Sequence, residues 1–254
     1  MNFFFCIDNP DIKCRLTIPK FQNDTNLNKN IELFSLTINN NNTWEMSVPK
    51  YRSDDDFFYI DENNHIINSI YFLAKKEEAK KIIKDNVIIN INSITDTNPA
   101  FRANLEIENS SGGFSSYQSD YPFNMTKLNS GILSPLNILL SKEAEKNTIY
   151  FRNIFHKPEI KNCNYYIIDY QNKKILDKGI IQKNKTNKIN IKNEFIEESN
   201  YFFTSNISGI PIYCYEKNNH ISFEHTHPPH QYILSNDKYI LVKNLKQKFH
   251  DIIS

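Results

Sequence analysis

Most of this chain alternates apolar and polar residues with a period near two. Runs rich in Ile, Phe, Tyr and Val recur at 3–7, 31–38, 56–60, 65–72, 87–94, 100–108, 148–155, 164–169, 174–182, 200–205, 210–216 and 219–227, separated by Asn, Asp and Lys turns. That pattern predicts half-buried strands at a spacing suited to an all-β fold rather than to alternating strand–helix units. Three segments carry helical spacing. In 72–85, Leu73, Ala79, Ile82 and Ile83 share one side. In 134–147, Ser134 is placed as an N-cap with Pro135 at the first helical position. In 236–253, Leu241, Leu245, Phe249 and Ile252 form a stripe. The expected fold is mainly β, a β-sandwich or jelly-roll-like barrel, with about three peripheral helices.

Two β-rich halves are a further expectation: 1–109 and 148–254, joined through a polar loop and helix at 110–147, or else one single domain. The stretches 59–72 and 213–225 each read as a strand, an Asn-Asn turn and a His-Ile that opens the next strand. Asn-Asn supplies the positive φ angles of a tight hairpin. A smaller echo joins 101–104 to 151–154.

Composition adds few constraints. The chain has 254 residues and a net charge of +1, which disfavours a nucleic-acid tract. Its abundance of Asn, Ile and Lys follows the codon bias of an AT-rich genome. Cys6, Cys14, Cys163 and Cys214 show neither metal spacing nor disulfide density and read as buried thiols. No apolar run reaches transmembrane length, and the N-terminus lacks the pattern of a signal peptide. A soluble, cytoplasmic protein is expected, with no membrane partner.

Chemistry concentrates in two places. In 221–230, "ISFEHTHPPH", strand alternation puts Ile221, Phe223, His225 and His227 on one face and Glu224 on the other. Pro228 and Pro229 end the strand, and His230 follows. His225, His227 and His230 are therefore candidate ligands for one divalent metal (Zn, Fe, Ni or Cu), or candidate acid–base groups without it. The His-x-His resembles the cupin metal motif. That resemblance stops within this stretch, because Gln231 stands where the cupin Glu would be and the flanking glycines are missing.

The second place is 108–126, with adjacent Gly112 and Gly113 in a chain of only 5 glycines. Tyr117, Gln118, Asp120 and Tyr121 offer rings and hydrogen-bonding groups suited to a carbohydrate. Arg102 and Arg152 flank this loop and could clamp a carboxylate. The expected function is an enzyme, or enzyme-like protein, that acts on a small polar ligand, a carbohydrate or carboxylate. The alternatives are a non-catalytic module binding a glycan or protein, and a structural or assembly subunit.

Overall fold

The computed structural model describes residues 1–7, 9–22, 26–27, 30–91, 102–225 and 236–254. The first half contains β1 (Asn2–Phe4), β2 (Ile12–Pro19), a small pair β3 (Phe21–Gln22) and β4 (Asn26–Leu27), β5 (Glu32–Ile38), β6 (Trp44–Ser47), β7 (Arg52–Ser53), β8 (Phe57–Ile60) and β9 (Ile70–Ala74). It continues through the single turn α1 (Lys76–Ala79), the hairpin β10 (Ile83–Lys84) and β11 (Val87–Ile88), then β12 (Asn104–Asn109), β13 (Phe114–Gln118) and β14 (Asp120–Pro122). The second half contains β15 (Ile132–Pro135), β16 (Lys146–Arg152), β17 (Asn162–Asp169), β18 (Lys174–Gln182), β19 (Thr186–Ile191), β20 (Asn200–Thr204), β21 (Ile210–Lys217), β22 (His220–His225) and the helix α2 (Lys238–Ile253).

These strands pair antiparallel into four larger sheets. The first half forms β14-β1-β9-β5-β6 and β13-β12-β2-β8-β7; the second forms β15-β20-β17-β18 and β19-β16-β21-β22. The fold is mainly β, and the sheets make a four-blade, propeller-like arrangement. This corrects the expected two-layer sandwich or jelly roll. Strands pair with partners from their own half, so each half closes two sheets instead of adding strands to a shared pair.

Alternation explains the burial. On β2, Ile12, Cys14, Leu16 and Ile18 are buried while Lys13 and Arg15 face water. Strand β9 is buried at every position, as expected for a strand covered on both faces. The four cysteines are buried thiols that form no disulfide. Among the described residues no helix is long and apolar enough to cross a membrane.

Two helical expectations are corrected. In 72–85, Phe72, Leu73 and Ala74 belong to β9 and pair with β5; only Lys76–Ala79 turns helically. Burial in the sheet overrides the helix preference of "AKKEEAKK". In 134–147, Ser134 and Pro135 end the edge strand β15, and turns lead into β16. Pro135 is tolerated there because an edge strand has an unused donor side. The third helix is present as α2, docked by Phe249 against Tyr170 (5.0 Å), Tyr201 (5.2 Å) and Phe203 (5.6 Å). The front of its stripe overhangs: Leu241 and Leu245 are exposed. The loop expected at 110–121 is also mostly strand, because β13 and β14 complete the first half's sheets.

The two halves meet along a seam. Arg152, 1% exposed, donates to the carbonyl oxygens of Asn68 (3.1 Å), Ser69 (3.2 Å) and Asn184 (3.4 Å). Trp44 Nε1 donates to the His156 carbonyl at 3.0 Å. Further along, the β12–β13 hairpin lies against the β21–β22 hairpin. Asn109 Nδ2 donates to Glu216 Oε2 at 3.1 Å. The turn of the second hairpin is Asn218-Asn219, both at positive φ (51° and 67°). Gly113 allows the close approach, since a Cβ there would lie 2.3 Å from the Asn219 carbonyl oxygen.

The two glycines should therefore respond differently to substitution. Gly112 has φ +83° with open space around its Cβ position, so Gly112→Ala should cost roughly 1–2 kcal/mol from backbone strain alone. Gly113→Ala must push the hairpins apart and should cost roughly 2–3 kcal/mol. Urea unfolding of both variants checks this; a Gly113→Ala protein as stable as wild type would show that the hairpins are not in contact.

Candidate functional site

The site forms where β13 ends, the chain crosses into β14, and β22 comes alongside. Along β13, Tyr117 turns inward while Phe114, Ser116 and Gln118 face out. Tyr117 packs edge-on against His225 at 4.8 Å and against Phe223 at 6.3 Å. On β22, Ile221 and Phe223 are buried, His225 follows on the same face half-buried, and His220 and Glu224 are exposed. The alternation expected for this strand is thus observed as far as His225. His227 and His230 lie outside the described residues.

The crossing from β13 to β14 is held by Ser119. Its Oγ accepts from Phe5 N–H (2.9 Å) and donates to the Phe5 carbonyl. Its own N–H donates to the Ala103 carbonyl at 3.1 Å. Asp120 then pairs with Phe4 in the first sheet and falls beside Arg102. The Asp120 side chain is 10% exposed, and Arg102 Nε stands 3.8 Å from its Oδ2, too far for a hydrogen bond. Among the described residues, Oδ2 has no hydrogen-bond partner. Burial pushes the Asp120 carboxyl up to about 7, against the opposing pull of Arg102 and of the Ala103 N–H. Burial also raises the Tyr117 hydroxyl well above its ordinary range, with Asp120 and Glu224 adding to the effect. Arg102 Nη1 donates to Gln118 Oε1 at 2.8 Å.

Residues from three distant parts of the chain are therefore brought together: Arg102, the group Tyr117, Gln118 and Asp120, and His225. Two candidates lie elsewhere. Tyr121 is fully buried, with its hydroxyl pushed up to about 12 by that burial. Arg152 is spent on the seam carbonyls, so the two arginines hold different partners. Sequence reasoning gave Ser119 no structural role, yet its hydroxyl bonds both the N–H and the carbonyl of Phe5. It also set Glu224 aside, although its charge acts on Tyr117.

Among the described residues, no group of three or more His, Cys, Asp or Glu is placed to hold a metal ion. A separate groove of about 360 Å³ lies on the outer face of the second sheet. It is lined by Lys13, Arg15, Asp61, Glu62, Glu106 and Phe114 among others. No family model matches the chain, and the searches of curated proteins and of solved structures found no match.

Asp120 gives a pH-dependent prediction. Between the ordinary aspartate value of 3.8 and about 7, the folded chain keeps a proton that the unfolded chain releases. Stability is therefore lost as pH rises through that window. Asp120→Asn removes this loss, so the variant should exceed wild type by as much as about 4 kcal/mol at pH 8 and converge with it near pH 4. Urea unfolding at both pH values measures the difference; a gap independent of pH would contradict the buried carboxyl.

Proposed function

We propose that this chain binds a small polar ligand, a carbohydrate or carboxylate, where β13, β14 and β22 meet, and that Asp120 handles a proton there. The observation that carries this reading is a nearly buried carboxyl, close to neutrality in its titration, set beside the partly exposed Arg102 and the Tyr117–His225 pair. Perturbed acids in such company are characteristic of functional sites. A carboxyl that titrates near pH 7 can serve as general acid or base. A divalent metal held by His225 together with His227 and His230 is the metal-assisted form of the same proposal. Enzyme-like action in the cytoplasm is the setting that this reading implies.

A second reading has its own observation. Phe114 is 63% exposed at the rim of the outer groove, among Lys13, Arg15, Asp61 and Glu106. A stacking ring beside donors and acceptors suits a non-catalytic glycan-binding module.

A thermal-shift panel of small sugars and carboxylates separates the two. The main reading predicts a stabilising ligand whose effect disappears in His225→Ala and Arg102→Ala, with circular dichroism unchanged, and persists in Phe114→Ala. Loss in Phe114→Ala alone would favour the outer groove and overturn the seam site. Metal content by mass spectrometry on untagged protein tests the metal-assisted form: near-stoichiometric Zn, Fe, Ni or Cu that is lost in His225→Ala supports it, and its absence after reconstitution removes it.

A further inference from the structure

We infer that the ligand of this site is a carboxylate, held by Arg102, and that Asp120 takes up a proton as it enters. This inference rests on the seam site proposed above.

The geometry around Arg102 is that of a cation with unused capacity. Its side chain is 29% exposed, and one N–H is given to Gln118 Oε1 at 2.8 Å. The neighbouring carboxylate is near yet not bonded, with Nε and Oδ2 at 3.8 Å. A guanidinium carries five N–H donors in a fork that matches two carboxylate oxygens. The open side of that fork is a better fit for a planar anion than for the hydroxyls of a neutral sugar.

The same geometry sets the proton count. A ligand carboxylate on Arg102 comes to lie close to Asp120, which is buried and, among the described residues, has no hydrogen bond at Oδ2. Two carboxylates sharing one site cannot both stay ionised at low cost, so one of them takes a proton from solvent. Asp120 is the one already shifted toward holding it. Arg102 is the one charged side chain among the described residues whose charge opposes the burial of Asp120. Across β13 stands Tyr117; beyond it on β22 lie Glu224, which adds negative charge, and His225; on the β1 side is Phe4. Ligand and proton are therefore expected to enter together, and binding should weaken as pH rises above about 7.

Isothermal titration of the full chain tests this with acetate, succinate and glucuronate, using glucose as the neutral counterpart. Running each titration in two buffers of different ionisation enthalpy counts the protons taken up. The expected result is binding of one or more acids without binding of glucose. Proton uptake should rise toward one per site at pH 8, and affinity should fall roughly tenfold or more in Arg102→Ala. Asp120→Asn should bind the same acid with no proton uptake and a flat pH profile. If glucose binds as well as glucuronate and both need His225, the site stands and the carboxylate inference is overturned. If an acid binds with no proton uptake in wild type, the role given to Asp120 is overturned. If none of the probes binds, or if binding is indifferent to His225→Ala, Arg102→Ala and Asp120→Asn alike, the seam site itself is overturned.

Discussion

The arrangement depends on a buried arginine. Arg152 carries its charge into the seam between the halves and is solvated there by backbone carbonyls from both, Asn68 and Ser69 on one side and Asn184 on the other. Charge-assisted bonds of this kind are stronger than neutral ones, and an arginine left without them inside a protein is costly. The halves are therefore held in one register. Asn184 extends the same network, receiving the Phe155 N–H at 2.7 Å and donating to the Lys157 and Glu159 carbonyls. With the register set, the two hairpins can lie together through Gly113, and Tyr117 reaches His225.

The halves also share a plan. Taking strands in chain order, β1, β2, β5, β6, β8, β9, β12 and β13 correspond one to one with β15 to β22. The sheet orders β1-β9-β5-β6 and β13-β12-β2-β8 become β15-β20-β17-β18 and β22-β21-β16-β19. The first half adds one edge strand to each sheet, β14 and β7. One of these additions, β14, carries Asp120, so the site is not repeated in the second half. The adjoining edges β13 and β22 occupy equivalent places in their own halves, which is how residues from equivalent hairpins come to form one site.

Much of this was legible in the chain. Period-two alternation located β5, β12, β16, β17, β18, β20, β21 and β22, and the Asn218-Asn219 turn was readable from its tolerance of positive φ. The side-chain faces of Ile221, Phe223 and Glu224 followed directly. What stayed hidden depends on long-range contacts. Residues 72–74 have the local preference of a helix, but their burial beside β5 decides the outcome. The serine-rich 110–121 reads as loop because its strands pair through backbone and the large side chains that they bury are only Tyr117 and Tyr121. Arg152 reads as a ligand clamp because a charge fully enclosed by carbonyls has no local signature. The echo between 59–72 and 213–225 was misleading, since Asn63-Asn64 lies in a short 3-10 turn rather than in a hairpin, and the two stretches occupy non-equivalent strands.

The central claim is that the halves form one cooperative body joined at the seam. The single tryptophan is well placed to test it, because Trp44 belongs to the first half and bonds to His156 of the second. Equilibrium urea unfolding should be followed in parallel by Trp44 fluorescence and by far-ultraviolet circular dichroism, in wild type and in Arg152→Met. The account predicts coincident single transitions in wild type and separated transitions once Arg152 is removed. Separate transitions in the wild-type protein would mean that the halves fold independently, and a site shared between them could not be held in place.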